Sequence, residues 1–221
     1  MSDTPPPGSA FLVAPPGGAG PGVLLLHSWW GLTTEVEDAA RALAAAGFTV
    51  LVPDLFEGDV PADAADAERL LLESDPNVTA SLVLSSILTL RANSADPEAP
   101  VAVVGFSMGA SWALWAATRQ PSSVRAVVAY YGYQDIDFEE LQAPVLGHFA
   151  ETDALVTEDQ LVEMQSHLLL LGKSVEVHRY PGTTHWFAEP AAGDHYDVAS
   201  AALAWDRTLE FLAEHAGPSA G

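Results

Sequence analysis

The chain contains no cysteine and little positive charge. Zero cysteines among 221 residues exclude disulfides, thiol catalysis and metal sites built on thiolates. Only 8 lysines and arginines stand against 30 aspartates and glutamates, which gives a formal net charge of −22. This charge argues against binding to nucleic acid or to anionic membranes, because both depend on basic contacts.

The sequence also lacks a long hydrophobic run. No uninterrupted apolar stretch reaches the length that a membrane-spanning helix needs. The first residues do not combine a basic segment with an apolar one, as a signal peptide would. We therefore expect a cytoplasmic protein, monomeric or homodimeric, with no membrane or nucleic-acid partner.

Apolar runs that alternate with amphipathic stretches fill the rest of the chain. This alternation predicts a mostly parallel, doubly wound α/β sheet with helices on both faces. A single domain over 1–221 is expected, with 1–10 and 216–221 as flexible tails, because 49% hydrophobic content suffices for one core. The strands are expected near 11–13, 23–26, 49–52, 101–104, 126–131, 144–150 and 175–180, and the clearest helices at 35–46, 62–73, 78–92 and 194–215.

The most informative motif is Gly-Phe-Ser-Met-Gly at 105–109, between an apolar run and a helical stretch. A G-x-S-x-G sequence at a strand-to-helix turn is typical of a nucleophile elbow, with Ser107 as the nucleophile. A serine hydroxyl reacts only when it is exposed beside a base. The alternative is a plain turn between a strand and a helix.

Two residues further along the chain are candidates for the partners of Ser107. Asp153 follows a strand by a few residues, and His185 lies on a loop after the next strand. Their order and strand-end positions predict a triad in which His185 takes the serine proton and Asp153 orients the imidazole. Taken singly, Asp153 could be a turn or helix-capping residue, and His185 could be an ordinary surface histidine.

The oxyanion of such a reaction needs two backbone N–H donors. Met108 follows the nucleophile and supplies the first. We assign the second to Trp29, on the loop after the apolar strand at 23–26. The alternative for the tryptophans is that they only cover the sheet.

These motifs, in this order, resemble the dienelactone hydrolase family of α/β-hydrolases. The resemblance runs from about residue 23 to 212, and it implies a compact α/β-hydrolase fold without a large cap domain. It further implies an ester or lactone hydrolase that works through a covalent acyl intermediate. The segments that carry it are 26–32, 53–55, 105–109, Asp153, 185–187 and 201–209.

Three positions depart from the pattern of that family. The best-known members have cysteine where this chain has Ser107, and glutamate where it has Ser28. Those enzymes also bind the substrate carboxylate with an arginine shortly after the catalytic histidine, where this chain has Glu189. We expect Glu189 to repel an anion, which favours a small neutral ester or lactone as the substrate. Arg69 lies in the region where a second arginine would be sought.

A serine hydrolase that needs no metal or cofactor is the function expected from these residues. A thioesterase or other acyl hydrolase is the alternative within enzymes, and a binding protein on a hydrolase fold is the alternative outside them. The acidic residues between 63 and 73 are expected on a solvated helix face, not at a metal. The expected lining of the substrate pocket is Ser28, Trp30, Phe56, Tyr131, Trp186 and Phe187.

Overall fold

The computed structural model describes residues 10–217. Its strands are β1 (Ala10–Val13), β2 (Gly22–Leu26), β3 (Thr49–Pro53), β4 (Val101–Phe106), β5 (Val124–Tyr130), β6 (Val145–Ala150) and β7 (Val175–Tyr180). Its helices are α1 (Thr34–Ala45), α2 (Ala64–Glu73), α3 (Pro76–Asn93), α4 (Met108–Arg119), α5 (Glu158–Leu170) and α6 (Val198–Ala216), with a 3₁₀ segment at Pro190–His195.

The seven strands form one sheet in the order β1-β3-β2-β4-β5-β6-β7. All neighbours are parallel except β1, which runs antiparallel to β3 at the edge. The predicted doubly wound α/β fold is therefore confirmed. The carboxyl ends of β2, β4, β6 and β7 meet at one edge, where open sheets of this kind place their sites.

Helices cover both faces of the sheet, and the strand side chains alternate between two cores. Leu24 and Leu26 of β2 pack with α3, α4 and α5, whereas Val23 and Leu25 pack with α1 and α6. The central strands are buried along their whole length for this reason. Among residues 10–217, no helix is both long and apolar enough to cross a bilayer.

The ends of the chain differ from the sequence prediction in part. Ala10 opens β1, and Ala216 is fully buried at the end of α6, so neither belongs to a flexible tail. The remaining predicted tail residues, 1–9 and 218–221, lie outside the described residues.

The final helix also begins later than predicted. Its first residue is Val198 instead of residue 194, because Asp197 caps the helix by accepting a hydrogen bond from the Ser200 N–H.

Candidate active site

Ser107 lies in the sharp turn between β4 and α4. Its backbone is in the left-handed region, at φ 50° and ψ −114°, a strained conformation for a residue with a side chain. Glycine is required on both sides, because a Cβ on Gly105 would lie 2.3 Å from the Gly109 carbonyl oxygen. A Cβ on Gly109 would lie 2.3 Å from the carbonyl oxygen of Leu26. The turn at Ser107 therefore packs directly against the end of β2.

Ser107, His185 and Asp153 form a chain of hydrogen bonds across this edge of the sheet. Ser107 Oγ is 2.8 Å from His185 Nε2, and His185 Nδ1 is 2.7 Å from Asp153 Oδ2. The side chains of His185 and Asp153 are only 5% and 6% exposed. Each residue follows the end of a different strand, so the three segments are far apart in sequence and meet only in the folded sheet.

The Asp153 carboxylate is stabilised in its charged form. Burial alone would raise its pKa, but the hydrogen bond and charge of His185, with the backbone N–H groups of Val156 and Leu155, hold the pKa below its ordinary value. Oδ1 accepts the two backbone bonds, at 3.0 and 2.8 Å, while Oδ2 faces His185. Asp153 is thus a turn residue and a histidine partner at once. An ionised acceptor at Nδ1 leaves the lone pair of Nε2 facing the serine hydroxyl.

The backbone N–H groups of Met108 and Trp29, the predicted oxyanion donors, lie on two segments near this series of hydrogen bonds. Met108 begins α4, where the first N–H groups of a helix have no partner within the helix. Within residues 10–217, neither the Met108 N–H nor the Trp29 N–H has a backbone hydrogen-bond acceptor. The backbone of Leu26 and His27, just before Trp29, packs closely on Gly109, two residues after Ser107.

Three tryptophans cluster beside the histidine. Trp29 stacks on Trp186 with ring centroids 5.0 Å apart, and Trp30 contacts both rings edge-on. The Trp186 ring lies 4.7 Å from the His185 ring. The indole N–H groups of all three are buried without a partner among the described residues. Trp186 therefore borders His185 directly, and Trp29 and Trp30 extend the aromatic surface from it.

The other residues predicted to line a pocket are distributed more widely. Phe187 is fully buried against Tyr131 and Tyr180, so it belongs to the core and not to a pocket wall. Phe56 packs on His27 and lines a separate depression beside α2 and α3. Ser28 and Tyr131 are buried as well, and both bind the same carboxylate, that of Glu189.

The sequence predicts that Glu189 repels an anion in the pocket. In the structure its carboxylate is buried and hydrogen-bonded instead. It is 8% exposed, and its two oxygens accept hydrogen bonds from Ser28 Oγ at 2.5 Å and from the Tyr131 hydroxyl at 2.8 Å. Burial raises its pKa to about 7, although the two hydroxyl donors oppose the shift. The sequence shows the two departures at positions 28 and 189 separately, and only the fold places them in contact.

A cavity of about 370 Å³ lies between α1 and α6, and Glu189 is among the residues that line it. Its walls are mainly apolar, with Trp30, Phe106, Tyr130 and Trp205 among them, and Ser107 does not line it. Arg69 does not supply a cation to this region, since it pairs with Asp66 and Glu73 on α2. Among residues 10–217, no three acidic or histidine side chains gather as metal ligands would.

The sheet order and the strained serine turn define an α/β-hydrolase. A solved structure with the same architecture, a dienelactone hydrolase-like promiscuous phosphotriesterase from metagenomic libraries, superposes with a TM-score of 0.84. It is 23% identical, and the match covers 94% of this chain and 92% of that one. The likeness establishes the fold.

Sequence comparison gives the family. Residues 9–216 match the model of the dienelactone hydrolase family, and the chain belongs to that family. It is 29% identical to "Protein usf" of Aquifex pyrophilus, over 92% of each chain. It is 27% identical to a carboxymethylenebutenolidase of Rhodococcus opacus, over 88% of this chain and 81% of that enzyme.

Proposed function

We propose that this protein is a serine hydrolase that cleaves carboxylic esters or lactones through an acyl-enzyme intermediate. The observation that carries the proposal is the hydrogen-bonded chain from Ser107 Oγ through His185 to Asp153, at 2.8 and 2.7 Å. Those distances are the ones that proton transfer from a nucleophile to a base requires. Membership in the dienelactone hydrolase family supports the same class of reaction.

In the first half of the reaction, Ser107 Oγ forms a bond to the carbonyl carbon while His185 Nε2 takes the hydroxyl proton. The carbonyl π electrons move to the oxygen, which the N–H groups of Met108 and Trp29 stabilise as an oxyanion. Asp153 stabilises the imidazolium. The oxyanion then collapses, the bond to the leaving alkoxy oxygen breaks, and His185 protonates that oxygen.

In the second half, water attacks the acyl-enzyme. His185 accepts a proton from the water as the new C–O bond forms, and a second tetrahedral oxyanion develops in the same place. Its collapse breaks the bond to Ser107 Oγ, which recovers its proton from His185. A carboxylic acid leaves, so an ester yields an alcohol and an acid, while a lactone yields one hydroxy acid.

A neutral substrate suits the site best. The tryptophan cluster supplies apolar surface, and Glu189 holds its oxygens on internal hydroxyls, so the site presents neither an arginine nor an exposed carboxylate from position 189. A neutral p-nitrophenyl ester is therefore expected to react faster than an anionic dienelactone of similar size. A marked preference for the anion would contradict this part of the proposal.

The test is covalent labelling with a fluorophosphonate, read by mass spectrometry, together with p-nitrophenyl acetate hydrolysis. We expect a single adduct on Ser107 and loss of turnover in step with labelling. Ser107→Ala is expected to lower kcat at least about 10⁴-fold, because the nucleophile and its base act as a unit. Ser85→Ala, which removes an exposed hydroxyl on α3, is the matched control.

Failure would take a clear form. A Ser107→Ala variant that hydrolyses p-nitrophenyl acetate as fast as the unmodified protein would exclude the mechanism. No adduct and no turnover in the unmodified protein, with a small ester bound and recovered whole, would favour a binding protein on a hydrolase fold.

A further inference from the structure

Glu189 joins three separate segments at the back of the candidate active site. Its own segment follows the histidine loop, Ser28 lies on the loop after β2, and Tyr131 lies at the end of β5. Both carboxylate oxygens are occupied, one by each hydroxyl. A buried carboxylate is costly unless it is hydrogen-bonded, so each of the two hydroxyls helps to hold Glu189 in place and Glu189 connects the three segments.

Ser28 transmits the position of Glu189 to the loop that carries Trp29. Ser28 Oγ accepts a hydrogen bond from the Trp30 N–H at 3.3 Å, and the Ser28 carbonyl accepts one from the Gly31 N–H at 3.2 Å. His27 Nε2 accepts the Leu55 N–H at 2.9 Å, so its Nδ1 donates to the same Ser28 carbonyl at 2.6 Å. Hydrogen bonds therefore hold the residues on both sides of Trp29. The Trp29 N–H belongs to the peptide group that joins it to Ser28, so the position of Ser28 sets its direction.

The other end of the bridge lies against the histidine. The Tyr131 ring centroid is 4.9 Å from that of His185. Tyr131 and Trp186 both have positive φ, at 39° and 65°, conformations that bulky residues adopt only when surrounding contacts hold them. Glu189 supplies one of those contacts to each, through its carboxylate to Tyr131 and through its N–H to the Trp186 carbonyl at 2.9 Å.

We propose that Glu189 is a positioning residue. It holds the loop that carries Trp29 through Ser28 and the loop that carries His185 through Tyr131, and so aligns the two loops with each other. This role rests on the hydrolase function proposed above. Glu189 does not touch the reacting atoms in this arrangement. Its contribution is the relative placement of the Trp29 N–H and His185 around Ser107, and displacements of about 1 Å in such a site can cost on the order of 100-fold in rate.

Two substitutions separate the bridge from the volume that it fills. Glu189→Leu introduces an apolar side chain of similar size and leaves both hydroxyls without their acceptor. Glu189→Gln keeps one acceptor and one donor, and since Ser and Tyr hydroxyls can also accept, it can still join Ser28 to Tyr131. We expect Glu189→Leu to lower kcat for p-nitrophenyl acetate by about 10- to 100-fold, with KM within about 3-fold, and Glu189→Gln to retain most of kcat.

The rate of fluorophosphonate labelling at Ser107 is the second readout. Labelling should slow in the Leu variant and stay near the unmodified rate in the Gln variant, because acylation also uses the oxyanion donors. Glu210→Gln, which removes an exposed carboxylate on α6, is the control. If the Leu variant does not fold, Ser28→Ala cuts the same bridge at its other end and is expected to lose kcat to a similar degree.

A double variant tests whether the two residues act through one path. Ser28→Ala added to Glu189→Leu should cost little more than the larger single loss, whereas multiplied losses would overturn the proposal. Unchanged kcat in the folded Leu variant would overturn it, as would an equal loss in the Gln variant. An unmodified protein that forms no Ser107 adduct would instead refute the hydrolase function, so the two failures are distinguishable.

Discussion

Two carboxylates border the loop that carries His185, and their surroundings shift their pKa values in opposite directions. Asp153 accepts hydrogen bonds from His185 and from two backbone N–H groups, and its pKa lies below the ordinary value despite burial. Glu189 is also buried but accepts hydrogen bonds only from two neutral hydroxyls, and burial raises its pKa to about 7. The donors that surround each group account for the difference.

In the proposed mechanism, this difference gives the two side chains different roles. A carboxylate that stays ionised can stabilise the imidazolium that forms when His185 takes a proton. A carboxylate that is easily neutralised contributes no dependable charge, and its two hydrogen bonds serve to hold other residues in place. Asp153 should therefore tolerate no loss of charge, whereas Glu189 should tolerate replacement by a neutral amide.

Among changes to the two carboxylates and their partners, Asp153→Asn has the largest expected effect. The amide presents an N–H₂ or a neutral oxygen to His185 Nδ1, so the imidazole loses its orientation and the partner for its charge. We expect kcat to fall about 10⁴-fold with the fold intact. Steady-state kinetics and circular dichroism of the purified variant measure both, and Asp206→Asn on the exposed side of α6 is the control. A variant that keeps a tenth of the activity would remove the proposed distinction from Glu189.

The second effect concerns stability and appears with Glu189→Gln. The unfolded glutamate ionises near its ordinary pKa of 4.5, and the folded one near 7. Between these values the unfolded state binds fewer protons than the folded state, so Glu189 lowers the free energy of unfolding as pH rises through this window. The total loss is up to about 3 kcal/mol, and stability is level again above pH 7.

Denaturant unfolding of the unmodified and Gln proteins at several pH values measures this window. The difference in unfolding free energy should move in favour of the Gln variant from about pH 4.5 to 7. The other titratable groups that face Glu189 are Tyr131 and, around the cavity, Tyr130, Tyr196, and Glu35 and Asp38 of α1. They are present in both proteins and cancel in the comparison. A difference that is constant with pH would contradict the raised pKa.

Much of the fold follows from local patterns in the sequence. The buried strands read as continuous apolar runs, and the order of strands and helices predicted a parallel sheet, which the structure confirms. The start of α6 was wrong by four residues, because the pattern does not reveal that Pro190–His195 forms a separate 3₁₀ segment before the Asp197 cap.

The sequence likewise predicts one part of the candidate site and not the other. Ser107, Asp153 and His185 each follow a strand end, so topology alone brings them to one edge, and the structure places them within hydrogen-bonding distance. The partners of Glu189 are 161 and 58 residues away, and no local spacing signals that contact. The prediction that Phe187 lines the pocket was wrong for a related reason. An aromatic residue beside a site looks the same in sequence whether it faces the pocket or the core.

The smallest expected effect is that of Tyr131→Phe, which removes one donor from Glu189 and leaves the ring beside His185. The hydroxyls of Ser28 and Tyr131 both lower the pKa of Glu189, against the larger effect of burial. Without the Tyr131 hydroxyl, the pKa of Glu189 should rise further, and the upper end of the stability window should move above pH 7. We expect kcat to fall only about 2- to 5-fold, since the Ser28 bond remains to hold the Trp29 loop. Denaturant unfolding across pH 6 to 9 locates the upper end of the window, and a shift below pH 7 would show that Tyr131 does not stabilise the ionised Glu189.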